Sequence, residues 1–486
     1  RPIVRTEFTE LFFQYVMFHI DRLIPLQVSD TRTFKSFLDS TSYSQKEKTR
    51  LFKEYLGYST THRATNEIRP FIKHEPYEKV NRARLVCMIN TQVLFMLGVY
   101  VSVAEKSFYA QYSPIFVKGT DPKNWPKEIW DLLTGLPAIQ TDFTSMEAHH
   151  RGMFALLVYR CIHKMIANVA EPVAIGVLRS MVLGTKKWST GNVIFTFKEN
   201  LPSGTQWTSW ANGFLNFMVV TFLSSYVSGL RNVEQMYDFS RNYKGRFEGD
   251  DGIGQDYGIT NELIRDLGVN LDLIRDKDAT RLEFCSLIVS PSGNLLKDPY
   301  KSISKICHYG EKYHNSRKNK KLRLVRANAM SYKYLHPNCP ILGCFCDKVL
   351  ELTASITVEE DDIEDRWKRA QFQRIVDLSR TTKFHRIHSS PSESDYVMIE
   401  EKFGIPVHIQ VQVEHQISAS TTLKFVLNCD FANHDVSDKV LELFNPSFRP
   451  RVPAEYQNLI DLCGVSNWRR MRPDQFHMPL GQLTLQ

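Results

Sequence analysis

Gly249-Asp250-Asp251-Gly252 is the stretch on which the reading of this chain turns. Two adjacent carboxylates at a tight turn sit uneasily together, because like charges at close range disfavour joint ionisation. A divalent cation relieves the conflict. Hard oxygen donors, few in number, suit Mg2+ when substrate phosphates complete its shell. The glycines on both sides permit a sharp reversal, and the flanks read as a hairpin. A solvent-exposed Asp-Gly turn is the plainer alternative.

Upstream, the apolar stretch Leu136-Pro-Ala-Ile-Gln-Thr-Asp142 reads as a short strand that ends in a carboxylate. Such an Asp can supply the third carboxylate of a two-metal site, whose ions lie ~3.5–4 Å apart and clamp attacking and leaving oxygens. Glu147, His149 and His150 follow. They could form a metal set, but residues i and i+1 point apart on a helix, which favours a structural role for the histidines. Between the two carboxylate stretches lies Ser203-Gly-Thr-Gln-Trp-Thr208-Ser-Trp-Ala-Asn212-Gly-Phe-Leu-Asn216, a Gly-containing loop running into a helix. Thr208 and Asn212 are four apart and share a helix face, from which they could present a hydroxyl and an amide to a nucleotide. The alternative is an N-capped amphipathic helix. Further upstream, Phe71-Ile-Lys73-His-Glu75 is followed by Lys79, Arg82 and Arg84. Alternating basic residues on an extended segment would line a channel for triphosphate or template; a solvated charged face is the other reading.

The order and spacing of these stretches resemble the RNA-dependent RNA polymerases of positive-strand RNA viruses, most like the tombus-like and noda-like group. Phe71-Ile-Lys-His-Glu with Arg84-Leu-Val looks like motif F, and Asp142-Phe-Thr-Ser-Met-Glu147 like motif A. Ser203-Gly-Thr-Gln-Trp-Thr-Ser-Trp-Ala-Asn212 looks like motif B, with Thr five and Asn nine residues after Ser. Glu248-Gly-Asp-Asp looks like motif C. Leu267-Gly-Val-Asn and Glu283-Phe-Cys-Ser-Leu look like motifs D and E. The resemblance covers residues 70 to 290.

The resemblance implies an α+β chain with a right-hand fold of fingers, palm and thumb, its antiparallel palm sheet flanked by helices. Fingers and an N-terminal part would take residues 1–135, with further fingers at 151–200. The palm would take 136–150 and 201–300, and the thumb and C-terminal tail 301–486. The implied activity is template-directed RNA synthesis on a viral genome, by two-metal nucleotidyl transfer. Asp142 and Asp250 would hold two Mg2+ ions, or Mn2+, with Asp251 near the second. Lys73 and Arg84 would grip the incoming triphosphate. Ser203, Thr208 and Asn212 would read the ribose 2′-hydroxyl. Glu147 stands where many members of the family carry Asp, which puts its hydrogen bond to Asn212 in question. Lys277, with Arg275 close by, is the candidate for the motif D lysine that protonates pyrophosphate. Arg82 on one side and Arg317, Lys318, Lys320, Lys321 and Arg323 on the other would touch RNA. The expected partners are RNA template and product, nucleoside triphosphates and other viral replication proteins, in a replication complex in the host cytoplasm. A reverse transcriptase, or an inactive polymerase-like RNA-binding scaffold, is the competing reading.

The remaining features set bounds. The 486 residues are 43% hydrophobic and 23% charged, which allows a large core in two to four domains and argues against long disorder. The net charge of +8 suits a polyanionic partner or a solvated basic surface. Nine cysteines, an odd number scattered along the chain, suggest a reducing compartment. Cys339, Cys344 and Cys346, with His336 nearest as a fourth ligand, read as free thiols rather than as a zinc site. The longest apolar run, Val93 to Ala104, falls short of a membrane span and reads as a core helix. An N-terminus without Met or a signal pattern suggests a piece cut from something longer.

Phe34, Phe37 and Leu38 recur at helical spacing. Residues 118–137 read as loop and turn, 185–208 hold polar, basic and turn-forming residues, 148–169 and 210–230 read as helices, and 407–413 as a strand. A basic run spans Arg317 to Arg326, and an acidic cluster spans Glu359 to Asp362. The tail after Asn445 reads as an extended segment. The texture changes near residue 300, where a boundary is placed.

Overall fold

The computed structural model describes residues 6–41, 43–58, 67–72, 85–190, 193–277, 282–307, 313, 316–359, 362, 375 and 390–421. The architecture is α+β and rich in helix. The chain divides into two compact units, residues 1–71 with 86–293, and residues 72–85 with 294–486.

The first unit opens with helices α1 (Glu7–Asp21), α2 (Phe34–Asp39) and α3 (Gln45–Leu56). Thr6 starts α1 by accepting a hydrogen bond from the Thr9 N–H at 3.2 Å, which satisfies one of the orphan donors of the first turn. Phe34, Phe37 and Leu38 are buried, as their spacing predicts. Strands β1 (Ile68–Ile72) and β2 (Leu85–Ile89) pair with each other. Helix α4 (Thr91–Gln111) follows, and among the described residues it alone is long and apolar enough to cross a membrane. Its Val93, Leu97, Val101, Ala104 and Phe108 are spent in the core of this unit.

Residues 118–137 are not the loop that their Gly, Pro and Asp content suggests. They form α5 (Trp125–Leu133), with Pro126 in the first turn, where its missing N–H costs nothing. Buried Pro126, Ile129 and Leu133 carry the helical period. Strand β3 (Ala138–Phe143) comes next. The single helix expected over 148–169 is two, α6 (Met146–His149) and α7 (Met153–Ile166). Gly152 separates them at φ +52°, a conformation that only glycine adopts cheaply. After α8 (Pro172–Leu183), the first part of the polar, basic stretch 185–208 is a hairpin: β4 (Thr185–Thr190) pairs antiparallel with β5 (Val193–Lys198). Its threonines and aromatics favour strand, and the basic residues masked that signal.

Helix α9 (Thr208–Val227) is the centre of the unit. It is not amphipathic: every residue from Trp210 to Ser225 is buried. Such a helix is apolar all round because other elements cover every face. Phe12 and Phe222 meet edge to face, and Phe217 contacts Tyr112, Phe116 and Phe247. Then come α10 (Val233–Arg241), β6 (Gly245–Glu248), β7 (Asp251–Gln255), α11 (Asn261–Asp266), β8 (Leu271–Asp276), β9 (Glu283–Phe284) and β10 (Leu287–Ile288). One sheet runs β6-β7-β3-β8, antiparallel at every step. The outer edge of β6 is covered, because Phe247 exchanges backbone hydrogen bonds with Ile115 and Val117.

The second unit contains α12 (Pro299–Cys307), α13 (Lys318–Leu335), α14 (Leu342–Leu352) and helices Glu393–Phe403 and Val407–Ala419. The last of these corrects the strand expected at 407–413. The local alternation of Val and Ile suits a strand, but the buried positions Gln410, Val413 and Ile417 follow a helical stripe. Gln410 donates from its amide to the carbonyls of Tyr396 and Ile405, which tie the two helices and the turn between them, while its Oε1 is buried without a partner among the described residues. The tail after Asn445 lies outside the described residues.

Candidate functional site

The hairpin of β6 and β7 closes on the pair Glu248↔Asp251, leaving Gly249-Asp250 as a two-residue turn. Gly249 has φ +59°, the requirement of a turn whose first central residue must be left-handed. Asp250 therefore stands at the tip, and Asp251 begins β7. The β3–β7 ladder ends at Thr141↔Gly252, one residue short of Asp142 and Asp251. On the other side of β3, Asp142 is directly opposite Asp272 of β8. Four carboxylates thus converge at one end of the sheet, all open to solvent.

Their mutual repulsion is visible in their acidity. The Asp142 carboxyl is raised above its ordinary range by partial burial, then by Asp250 and Asp272. Asp251 is raised to about 6 by crowding from the surrounding protein, then by Asp250 and Asp142, with Glu248 adding to it. The Cys285 thiol donates to Asp251 and offsets part of the rise. Cys285 sits in the tight β9–β10 turn at φ +53°. Sequence reasoning missed both Asp272 and Cys285. The alternation Leu271-Asp-Leu was the available signal for Asp272.

Gly204, beside Ser203, is required by a close approach. A Cβ there would lie 2.7 Å from the Cys87 carbonyl oxygen and 2.7 Å from the Met88 sulfur. The loop docks on β2 through Gly204 N–H to the Cys87 carbonyl at 2.9 Å, and Ser203 Oγ accepts from the Cys87 N–H at 3.2 Å. The Ser203 hydroxyl proton is left to donate elsewhere. Thr208 is different. Its hydroxyl lies 2.7 Å from that of Thr205 and donates to the carbonyls of Pro202 and Thr205, so it braces the loop instead of facing a ligand. The capping alternative also fails, because Trp207 occupies the N-cap with no side-chain cap.

Along α9, Gly213 lets the helix approach the turn: a Cβ there would meet Gly249 N at 3.4 Å. One turn further, buried Asn216 ties β3 to the β6–β7 turn. Its Oδ1 accepts from Thr141 Oγ1 at 3.3 Å, and its Nδ2 donates to the Asp250 carbonyl at 2.9 Å. Asn212, one turn earlier, is held by His150, with Nε2 and Oδ1 2.9 Å apart. Glu147 makes no hydrogen bond to Asn212; it adds, after burial, to the raising of the Cys87 thiol. Burial holds the His150 imidazole down to about 4, so it is neutral near pH 7. His149 packs against the Phe143 ring and accepts from the Asn270 N–H at 2.8 Å. Both rings are thus engaged with the protein, His150 with Asn212 and His149 with Asn270.

Several residues singled out in the sequence lie elsewhere. Asp272 faces Asp142, and Asp276 faces Ala138 at the opposite end of β8. Lys277, five residues past Asp272, is thus about 17 Å along the strand from the carboxylates at ~3.4 Å per residue. Sequence proximity to the motif D stretch suggested Lys277, but the strand carries it away. Arg275 is occupied by Asp256 at 2.8 Å and by the Ile259 carbonyl. Lys73, Arg82 and Arg84 lie outside the described residues.

In the second unit, Arg317 caps α13, and Lys318, Lys320, Lys321 and Arg323 occupy its first turns. Cations at a helix N-terminus oppose its dipole. The acidic cluster compensates, with Lys320 paired to Asp362 and Arg323 to Glu359. Arg317 and Lys318 are exposed. Cys339 donates to the Lys297 carbonyl, Cys344 bonds Glu414 and Ser418, and His336 Nδ1 lies 2.7 Å from the Leu295 carbonyl. Burial pushes the Cys339 thiol up to about 12, which opposes the thiolate that zinc needs.

Among the described residues no three His, Cys, Asp or Glu side chains close into a ready-made metal cage. The donor chemistry at the sheet end still fits Mg2+, which takes one or two carboxylates and completes its shell with phosphates and water. Neither a family model nor a curated protein matches this chain.

Proposed function

We propose that this chain is a right-hand RNA-dependent RNA polymerase that copies a viral RNA genome. One observation carries the reading. Asp142 at a strand end and Asp250-Asp251 at a hairpin turn share one end of an antiparallel sheet, and α9 backs them with Asn212 and Asn216. On this reading the β6-β7-β3-β8 sheet is the palm, and residues 301–486 include the thumb. Asp142 and Asp250, with Asp251 beside them, would hold two divalent ions; such ions, when bound, would supply the charge that acidifies a primer 3′-hydroxyl and neutralises pyrophosphate.

The protein itself contributes position and charge. Asn216 fixes the height of the Asp250 turn against β3, so the carboxylates stay in register. Ser203 and Asn212 offer donors to the sugar of the incoming nucleotide, whose base is chosen by pairing with the template. Preorganised donors and charges of this kind carry most of the barrier reduction in phosphoryl transfer.

The test is incorporation on an RNA template. The purified chain should add ribonucleotides in the presence of Mg2+ or Mn2+, and Asp142→Asn and Asp250→Asn should each abolish addition while the circular dichroism melt stays cooperative. Near wild-type extension by Asp250→Asn sinks the reading. Preferential use of deoxyribonucleotides would make the chain a reverse transcriptase instead.

A further inference from the structure

Asn212 is an unusually half-used side chain. It is buried, and its Oδ1 is taken by His150. Its Nδ2 makes no hydrogen bond among the described residues. A buried amide normally spends both ends. The unspent end is a donor, and a donor is what the lone pair of a sugar hydroxyl accepts.

His150 decides which end is unspent. The imidazole is 2% exposed and sits at the C-cap of α6. Its backbone is held on both sides. Ser145 begins the short helix at φ +57°, and Gly152 ends the bend by donating its N–H to Glu199 Oε2 at 3.0 Å. A neutral imidazole has one N–H, and only with the proton on Nε2 can it meet a carbonyl oxygen. An amide oxygen toward the ring goes with the Nε2–H tautomer, so ring and amide are set as a pair. In that pairing an Asn212 rotated by half a turn would set its NH2 against the ring N–H, donor facing donor; turning the amide requires the imidazole proton to move to Nδ1 as well.

We propose that His150 is a positioning residue for sugar selection, which locks the Asn212 amide so that its NH2 faces the ribose 2′-hydroxyl of the incoming nucleotide. The inference rests on the polymerase reading above. His150 does not touch substrate. Its effect reaches the sugar only through Asn212.

The experiment compares kcat/KM for a ribonucleotide and its 2′-deoxy analogue on one RNA template. His150→Leu removes the N–H, and His150→Gln puts an amide N–H where Nε2 stands. The Leu variant should lower the ribo-to-deoxy preference about tenfold, the worth of one hydrogen bond, by raising the ribonucleotide KM and leaving the deoxynucleotide unchanged. The Gln variant should restore the preference. The double variant His150→Leu/Asn212→Ala should discriminate no worse than Asn212→Ala alone. Should the Leu variant not fold, His150→Asn replaces it, since Asn places its amide at the Nδ1 position and should fail where Gln succeeds. An unchanged preference in an active variant lacking the N–H overturns the role. So does an equal loss for both nucleotides, the mark of a merely structural histidine. A wild-type chain that adds neither nucleotide overturns the polymerase reading and this inference with it.

Discussion

Replacing Asp251 with Asn should make the metal-free protein more stable, while crippling any metal-dependent chemistry. The Asp251 carboxyl is raised from an ordinary 3.8 to about 6 in the folded chain. The sign follows from linkage. A raised folded pKa means that the native state binds the proton more tightly than the unfolded state does, so its stabilisation is complete below about 4 and lost as pH rises through 6. At ~1.4 kcal/mol per unit, a two-unit rise sets a ceiling of about 3 kcal/mol on the cost of ionising Asp251. The side chain stays open to solvent, and screening reduces that to about 1 kcal/mol. Asparagine keeps an acceptor for the Cys285 thiol and removes the charge. With EDTA present, the Asn variant should therefore melt about 2 °C above wild type at pH 7.5. The gap should shrink through pH 6 and vanish near pH 4. Mg2+ should stabilise wild type more than the variant, since only a ligand of the native state shifts the equilibrium. Calorimetric scans across that pH range decide it. Equal melting at pH 7.5, or a less stable variant there, refutes the idea that the carboxylates strain the fold.

Two further outcomes are expected. Asn216→Leu leaves the Asp250 carbonyl and the Thr141 hydroxyl unpaired, and should cost about 2 kcal/mol in urea titrations. Its extension rate should fall far more steeply than that loss of stability would explain, and a rate that merely tracks the folded fraction would count against the clamp. Lys277→Ala should extend RNA at close to the wild-type rate, because the strand carries residue 277 away from the carboxylates; a large loss of turnover would return it to the site.

The chemistry of the site was more legible in the sequence than its supports. Asp142, Asp250 and Asp251 stand out by their order and spacing along the chain, since an Asp-Gly turn taken alone is an ordinary hairpin feature. Ser203 was legible as one of the polar residues recurring along a Gly-containing loop, whereas the close approach that requires Gly204 shows only once the loop is docked on β2. His150 and Asp272 were illegible as partners, because their roles come from pairings across α9 and β8 that no local spacing encodes. Thr208 was misread because its hydroxyl serves a loop three and six residues back, a preference that helical-face reasoning does not weigh. In the fold, Phe34, Phe37 and Leu38 gave their helix away, whereas Trp125–Leu133 and Val407–Ala419 did not. Proline at a helix start and a short Val/Ile alternation each imitate another element over seven or so residues. The rest of the buried stripe resolves the ambiguity, and it is tertiary packing that reveals the stripe.

The burial of α9 on all sides has a consequence for motion. A helix with a solvent face can tilt or slide by trading contacts with water, but the stretch from Trp210 to Ser225 has none to trade. Its amides should be among the last in the unit to exchange with solvent, opening only when the surrounding helices and the sheet come apart together. Two segments take their place from it: the Ser203–Trp207 loop before its first turn, which also docks on β2 through Cys87, and the Gly249-Asp250 turn, held at mid-helix by Asn216. The helix is the stator, and the carboxylate turn is fastened to the part of the unit least able to shift.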